Sequence, residues 1–211
     1  MTMKYEWKIT GINPVWISAL LTGAFLAVCA TGGDNLHWGY LGFEVIFPFY
    51  MSVVIGEWCQ TRTDPMFEVI SAQGKSVFGW ILRRFLLLFC LVAIFAMIGI
   101  GGVVLLKPNM SALDLLLTFL PTAFFLSSIS AFVSMLASVP HISSMVSGVV
   151  WLFSIMTMNL LRFAPIRYFY LFVRYAGING VLGLLNKLVL FLAGIALWIA
   201  IYFICRKRAW S

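Results

Sequence analysis

Charge is what this sequence has least of. Only 10% of its 211 residues are Asp, Glu, Lys or Arg, against about 25% in an average soluble domain. That is too little to cover a surface facing water. Hydrophobic residues make up 63% instead, where about 45–50% is usual. Such an excess of apolar surface is stable where lipid replaces water as the solvent. Acids are scarcer than bases, 7 against 14, for a net charge of +7. The bases stand mainly at the ends of apolar runs, where they anchor at headgroups and orient the chain. That placement argues against nucleic acid as a partner.

Recognisable reactive clusters are missing as well. Cys29, Cys59, Cys90 and Cys205 are scattered without CxxC spacing, so no disulfide or metal site is expected. His37 and His141 fall on opposite sides of the membrane in the topology below, which separates them as metal ligands. Gly74-Lys75-Ser76 ends like the phosphate-cradling GxxxxGK[ST] loop, but position 69 is Val69 and no strand precedes it. Glu57 and Arg62 differ from the Glu-Glu-x-x-x-Arg motif of membrane CAAX-type proteases by a missing acid and one residue of spacing. No catalytic residue, metal ligand or cofactor site is expected in the chain, and so no enzymatic activity of its own.

What is present is a series of apolar runs, which predicts an all-α polytopic membrane protein with a single transmembrane domain over residues 1–211. Six spans are expected, at roughly 14–31, 41–55, 85–106, 115–137, 143–161 and 188–204. Each consumes about 20 residues at ~1.5 Å rise per residue, so six use about 120 and leave no space for a soluble nucleotide-binding domain. The basic stretch Met1–Lys8 precedes the first run like a signal peptide, but five further runs favour an uncleaved span.

With the N-terminus inside, nine Lys and Arg fall on the inner side and five (Lys107, Arg162, Arg167, Arg174 and Lys187) on the outer. The positive-inside tendency therefore places both termini in the cytoplasm of a cell-membrane protein. Pro48 is expected to kink the second span, and Pro121 to interrupt the fourth. Glu44, near one end of the second span, either snorkels to the interface or faces a polar cavity where it handles cationic substrate. Residues 162–187 are too polar and too broken by Gly177, Gly180 and Gly183 to span, yet too aromatic for a free loop. Re-entrant or interfacial helices at the outer surface are expected there.

The polar segment from Glu57 to Ser76 carries the most information. Asp64-Pro65 is a helix start, since the Asp side chain accepts from free N–H groups and Pro fits the first turn. Met66, Phe67, Val69 and Ile70 follow at helical spacing, and Gly74 ends the run. A short helix exposing apolar side chains needs either a partner groove or the membrane surface.

Glu57 just after the second span, Arg62-Thr63, Glu68 in a short helix, and Ser71-Ala-Gln-Gly-Lys75 before the third span together resemble the type-2 ABC exporter permeases. The family usually has Gly-Thr in place of Arg62-Thr63 and a Pro near Gln73. Six spans, cytoplasmic termini and a broken amphipathic stretch between spans five and six resemble that family too. The resemblance implies that Pro65–Ala72 is a cytoplasmic coupling helix docking on a separate ATPase subunit. Glu57, Arg62, Thr63, Asp64, Met66, Phe67, Glu68 and Lys75 would serve that contact, with ATP and magnesium bound by the partner. It also implies a second permease copy or paralogue, and outward movement of a hydrophobic or amphipathic drug, peptide or lipid. The alternative is an ion-coupled secondary transporter or channel subunit. That reading requires titratable groups buried mid-span, and the third to sixth expected spans contain no acid.

Overall fold

The computed structural model describes residues 11–32, 37–59, 77–137, 139 and 141–208. Six main helices run in chain order: α1 (Asn13–Thr31), α2 (His37–Trp58), α3 (Val77–Leu106), α4 (Ala112–Leu136), α5 (Ile142–Met156) and α6 (Val181–Arg208). No strand occurs among the described residues. All but α5 are long and apolar enough to cross a membrane. At 15 residues, α5 rises about 22 Å, short of a hydrocarbon core of about 30 Å. The expected fifth span, 143–161, is thus α-helical only over its first part and continues as a tight turn at Met158–Arg162.

Burial ranks the helices. The apolar window of α2 is 67% buried within the chain and that of α4 50%, against 22% for α6. The central pair is therefore α2 and α4. Around it pack α5 and α6, and α1 lies outside against α3. Phe43 and Phe47 of α2, Phe119 of α4 and Phe85 of α3 are fully buried at this centre. Phe25 of α1 meets the rings of Phe43 and Phe47 edge-on at 5.4 and 5.8 Å.

Proline acts differently at its two expected sites. Pro48 lacks the N–H that would close a regular turn, and the turn before it, Leu41–Ile46, is widened to π-helical winding. There the Phe47 N–H reaches back five residues to the Gly42 carbonyl, and the Val45 carbonyl accepts the Trp151 indole N–H at 3.0 Å. Pro121, by contrast, does not interrupt α4, which is continuous through it. The hydroxyls of Thr118 and Thr122, on either side, bond back to the Asp114 and Thr118 carbonyls at 2.7 and 3.0 Å. These bonds brace the turns on either side of the proline rather than the Leu117 carbonyl that it deprives of an N–H donor.

Gly42 lets α1 approach this widened turn. A Cβ added there would lie 2.0 Å from Phe25 Cζ. Gly42→Ala is expected to cost about 1–3 kcal/mol by overpacking, and adding Phe25→Leu should restore most of it. Thermal unfolding of the two variants in the same detergent checks this.

Two helices begin earlier than their hydropathy suggests. Arg83 and Arg84 lie inside α3, which starts at Val77 rather than Phe85. Arg84 is buried, with its guanidinium 4.4 Å over the Trp80 ring and Nη1 donating to the Trp58 carbonyl at 3.2 Å. α6 starts at Val181 rather than Leu188, so Asn186 and Lys187 belong to this long helix, where they are buried, rather than to the stretch before it. Between α5 and α6 the chain makes single helical turns at Met158–Arg162 and Ala164–Arg167. It then runs irregularly through Tyr170–Arg174, all buried. Phe163 and Phe169 in this connection are exposed.

The expected coupling helix, with Arg62, Thr63, Asp64, Met66, Phe67, Glu68 and Lys75, lies outside the described residues. Of the expected ATPase-coupling set, Glu57 alone lies within them.

Candidate functional site

Two polar clusters stand at opposite ends of α2. The first is built on Glu44, in the widened turn, with a side-chain exposure of 0%. Its Oε1 accepts the backbone N–H of Arg174 at 3.1 Å and its Oε2 that of Tyr175 at 2.5 Å. The third donor is the Lys187 ammonium, itself 4% exposed. Lys187 also donates to Thr122 Oγ1 at 2.7 Å and to the Leu171 carbonyl at 3.1 Å. All three ammonium protons thus have acceptors, from α2, α4 and the α5–α6 connection.

A second ion pair lies beside it. Arg174, 9% exposed, reaches Asp114 Oδ1 through Nη2 at 3.0 Å and Asn179 Oδ1 through Nη1 at 3.1 Å. Asp114 Oδ2 accepts the Tyr40 hydroxyl at 2.5 Å. Asn186 Nδ2 bonds the carbonyls of Arg167, Tyr168 and Tyr170 at 2.8–3.0 Å. Two cations face two carboxylates, so the cluster is neutral as a unit, the condition under which low-dielectric surroundings tolerate charge. The Tyr170 hydroxyl donates to the Ser154 carbonyl at 2.7 Å. Burial, with the negative charge of Glu44 adding to it, raises its pKa to about 12, so it stays a neutral donor.

The arrangement ties residues 170–175 onto α2, α4 and α6. No group of three or more His, Cys, Asp or Glu that could hold a metal ion gathers among the described residues. The Glu44 carboxylate is filled by a cation from its own chain.

The second cluster surrounds Gly56–Cys59, where α2 leads into residues 60–76. Glu57 Oε1 accepts the Ser144 hydroxyl at 2.5 Å, and Oε2 lies 2.5 Å from His141 Nδ1. The carboxylate thereby sits at the N-terminus of α5, where the helix dipole favours negative charge. Ser143 Oγ donates to the Gly56 carbonyl at 2.9 Å, and Ser134 Oγ to that of Cys59 at 3.4 Å. A Cβ on Gly56 would lie 3.0 Å from Ser143 Oγ and 3.1 Å from Ser144 Oγ, so glycine permits this approach. His141 holds φ at +65°, a left-handed conformation that costs a non-glycine residue on the order of 1–3 kcal/mol. Together with Arg84 on the Trp58 carbonyl, these bonds join α2, α3, α4 and α5 at one point.

Sequence reasoning selected Glu44 and Glu57 but not their partners. The sequence places Lys187 and Arg174 on the outer side, in the stretch expected to form re-entrant or interfacial helices, and does not single out Asp114, Thr122, Tyr40, His141 or Ser144 as partners. One signal was available. Lys187 stands between Leu184-Leu185 and Leu188-Val189-Leu190, and a lone base in an apolar run calls for an acid elsewhere in the membrane. No family model, curated protein or solved structure matches this sequence.

Proposed function

We propose that this chain is the membrane-spanning permease subunit of an ATP-driven exporter, similar to the type-2 ABC exporter permeases. The observation that carries the reading is the junction at Gly56–Cys59. An ATPase can move membrane helices only through a stiff contact, and the end of α2, which leads into residues 60–76, is braced there to α3, α4 and α5. A displacement of the coupling segment would therefore reach four helices together rather than bend one. In this reading the junction faces the cytoplasm, Phe67 and Glu68 enter the ATPase surface, and the partner holds ATP and magnesium. The packed α2–α4 centre favours a pathway between two permease copies or paralogues over one through a single chain. The cargo is hydrophobic or amphipathic.

Co-purification tests the proposal. The full chain should bring down an ABC ATPase subunit, and Phe67→Ala with Glu68→Ala should reduce recovery of that subunit by about ten-fold or more, as loss of a small hot spot does, while the permease stays monodisperse. Failure of the unaltered chain to recover any ATPase would overturn it.

A second reading is favoured by one observation. Glu44 and Lys187 form the buried, titratable pair that an ion-coupled transporter or channel subunit requires. Proteoliposomes separate the two readings: transport abolished by an ionophore yet indifferent to ATP would select the ion-coupled one.

A further inference from the structure

The end of the molecule that carries Trp58 has an apolar groove between α3 and α6, separate from both polar clusters. Its volume is about 440 Å³, within the range of about 300–1,000 Å³ typical of ligand pockets. Phe78, Leu82 and Leu86 of α3 form one wall and Ile195, Ile199 and Phe203 of α6 the other. Phe85 and Trp198 meet beneath them at 4.6 Å. Leu86, Ile199 and Phe203 are exposed, so the groove opens sideways from the bundle.

The groove also has a polarity along its length. The α6 wall runs as 195, 199 and 203 with 198 and 202 beside it, and the next positions on that stripe bring Arg206, which is exposed. Lys207 and Arg208 follow Arg206 in sequence. An apolar trough thus leads towards the exposed Arg206 at the C-terminal end of α6.

We propose that this groove holds an acyl chain of an anionic phospholipid from the leaflet at that end, with the lipid phosphate against Arg206. The nine residues from Ile195 to Phe203 span about 12 Å along the axis, a length suited to an acyl chain lying along helices. A helix from a second copy would need about 30 Å to cross the same membrane and would run past the groove onto Arg206. A symmetric pairing of copies there would set Arg206 against Arg206, whereas a phosphate neutralises it.

The test uses the full chain reconstituted with equal phosphatidylglycerol and phosphatidylcholine, then extracted and analysed by native mass spectrometry. Selective retention of phosphatidylglycerol is expected. Arg206→Gln should lower it about five-fold, the effect of one basic residue at an anionic surface, and Arg206→Lys should preserve it. Leu82→Trp or Ile199→Trp, which fill the trough, should remove the retained lipid while the protein stays monodisperse. Equal retention of the two lipids, or retention that survives both filling variants, would overturn the proposal. So would high-yield cross-linking between two copies through Ile199→Cys, because the groove would then be a subunit interface.

Discussion

Replacing Lys187 by Met is expected to destabilise the protein by about 3–5 kcal/mol, the usual consequence of removing one partner from a buried ion pair. The Glu44 carboxylate would keep its two backbone donors but lose the cation that offsets its desolvation. Glu44→Gln should cost a similar amount, because Lys187 would be left with the neutral acceptors Thr122 and Leu171. The double variant should recover more than half of either loss, since it removes both charges and keeps one amide acceptor for the backbone. Thermal unfolding measures the size, with a fall of roughly 10 °C for each single variant at this chain length. Hydrogen exchange gives the location: the Arg174 and Tyr175 amides should exchange faster in Glu44→Gln, while amides in the middle of α4 stay protected. Single variants within 1 kcal/mol of the unaltered protein, or a double variant worse than both, would show that the pair is not what ties residues 170–175 to the bundle.

The same pair marks the boundary of what the sequence made legible. The membrane character and the approximate places of α1, α2 and α4 follow from local composition, because a run of apolar residues is solvated by lipid wherever the rest of the chain lies. The same local rule puts Asn186 and Lys187 in the outer re-entrant or interfacial stretch, short of the sixth span. Their acceptors are Glu44, 143 residues away, and carbonyls of the α5–α6 connection 16–19 residues upstream, and no local pattern announces such partners. Arg84 misled the start of α3 for the same reason, being polar by type but paired with Trp80 and the end of α2. Pro121 shows the converse. Its local cost is real, but the packing of α4 at the centre of the bundle keeps the helix continuous through it. At the junction into residues 60–76, Glu57 was identifiable as an acid just past a span. The Ser144 and His141 that hold it lie 87 and 84 residues away, so its role as a brace emerged only with the fold.

Glu57→Ala should give the largest functional effect of any single change at that junction. It removes the acceptor of both the Ser144 hydroxyl and His141, leaving the Ser143–Gly56 bond between α2 and α5 at this junction. His141 would also lose the side-chain bond that accompanies its left-handed backbone. The coupling segment itself is untouched, so an ABC ATPase should still co-purify at the unaltered level. ATP-driven export should nevertheless fall by about ten-fold or more, in the range by which changes along a mechanical coupling alter its strength. Glu57→Gln, which can still accept from Ser144, should fall between. That separation of binding from transport distinguishes a force-transmitting brace from a docking residue, for which recovery of the ATPase and export would be lost together. Export at the unaltered rate in a well-expressed Glu57→Ala protein would remove the brace from the mechanism and with it the main structural support for the exporter reading. A segment at residues 60–76 could then act only on the helices it directly joins, and four helices held at one junction would have no part in moving cargo.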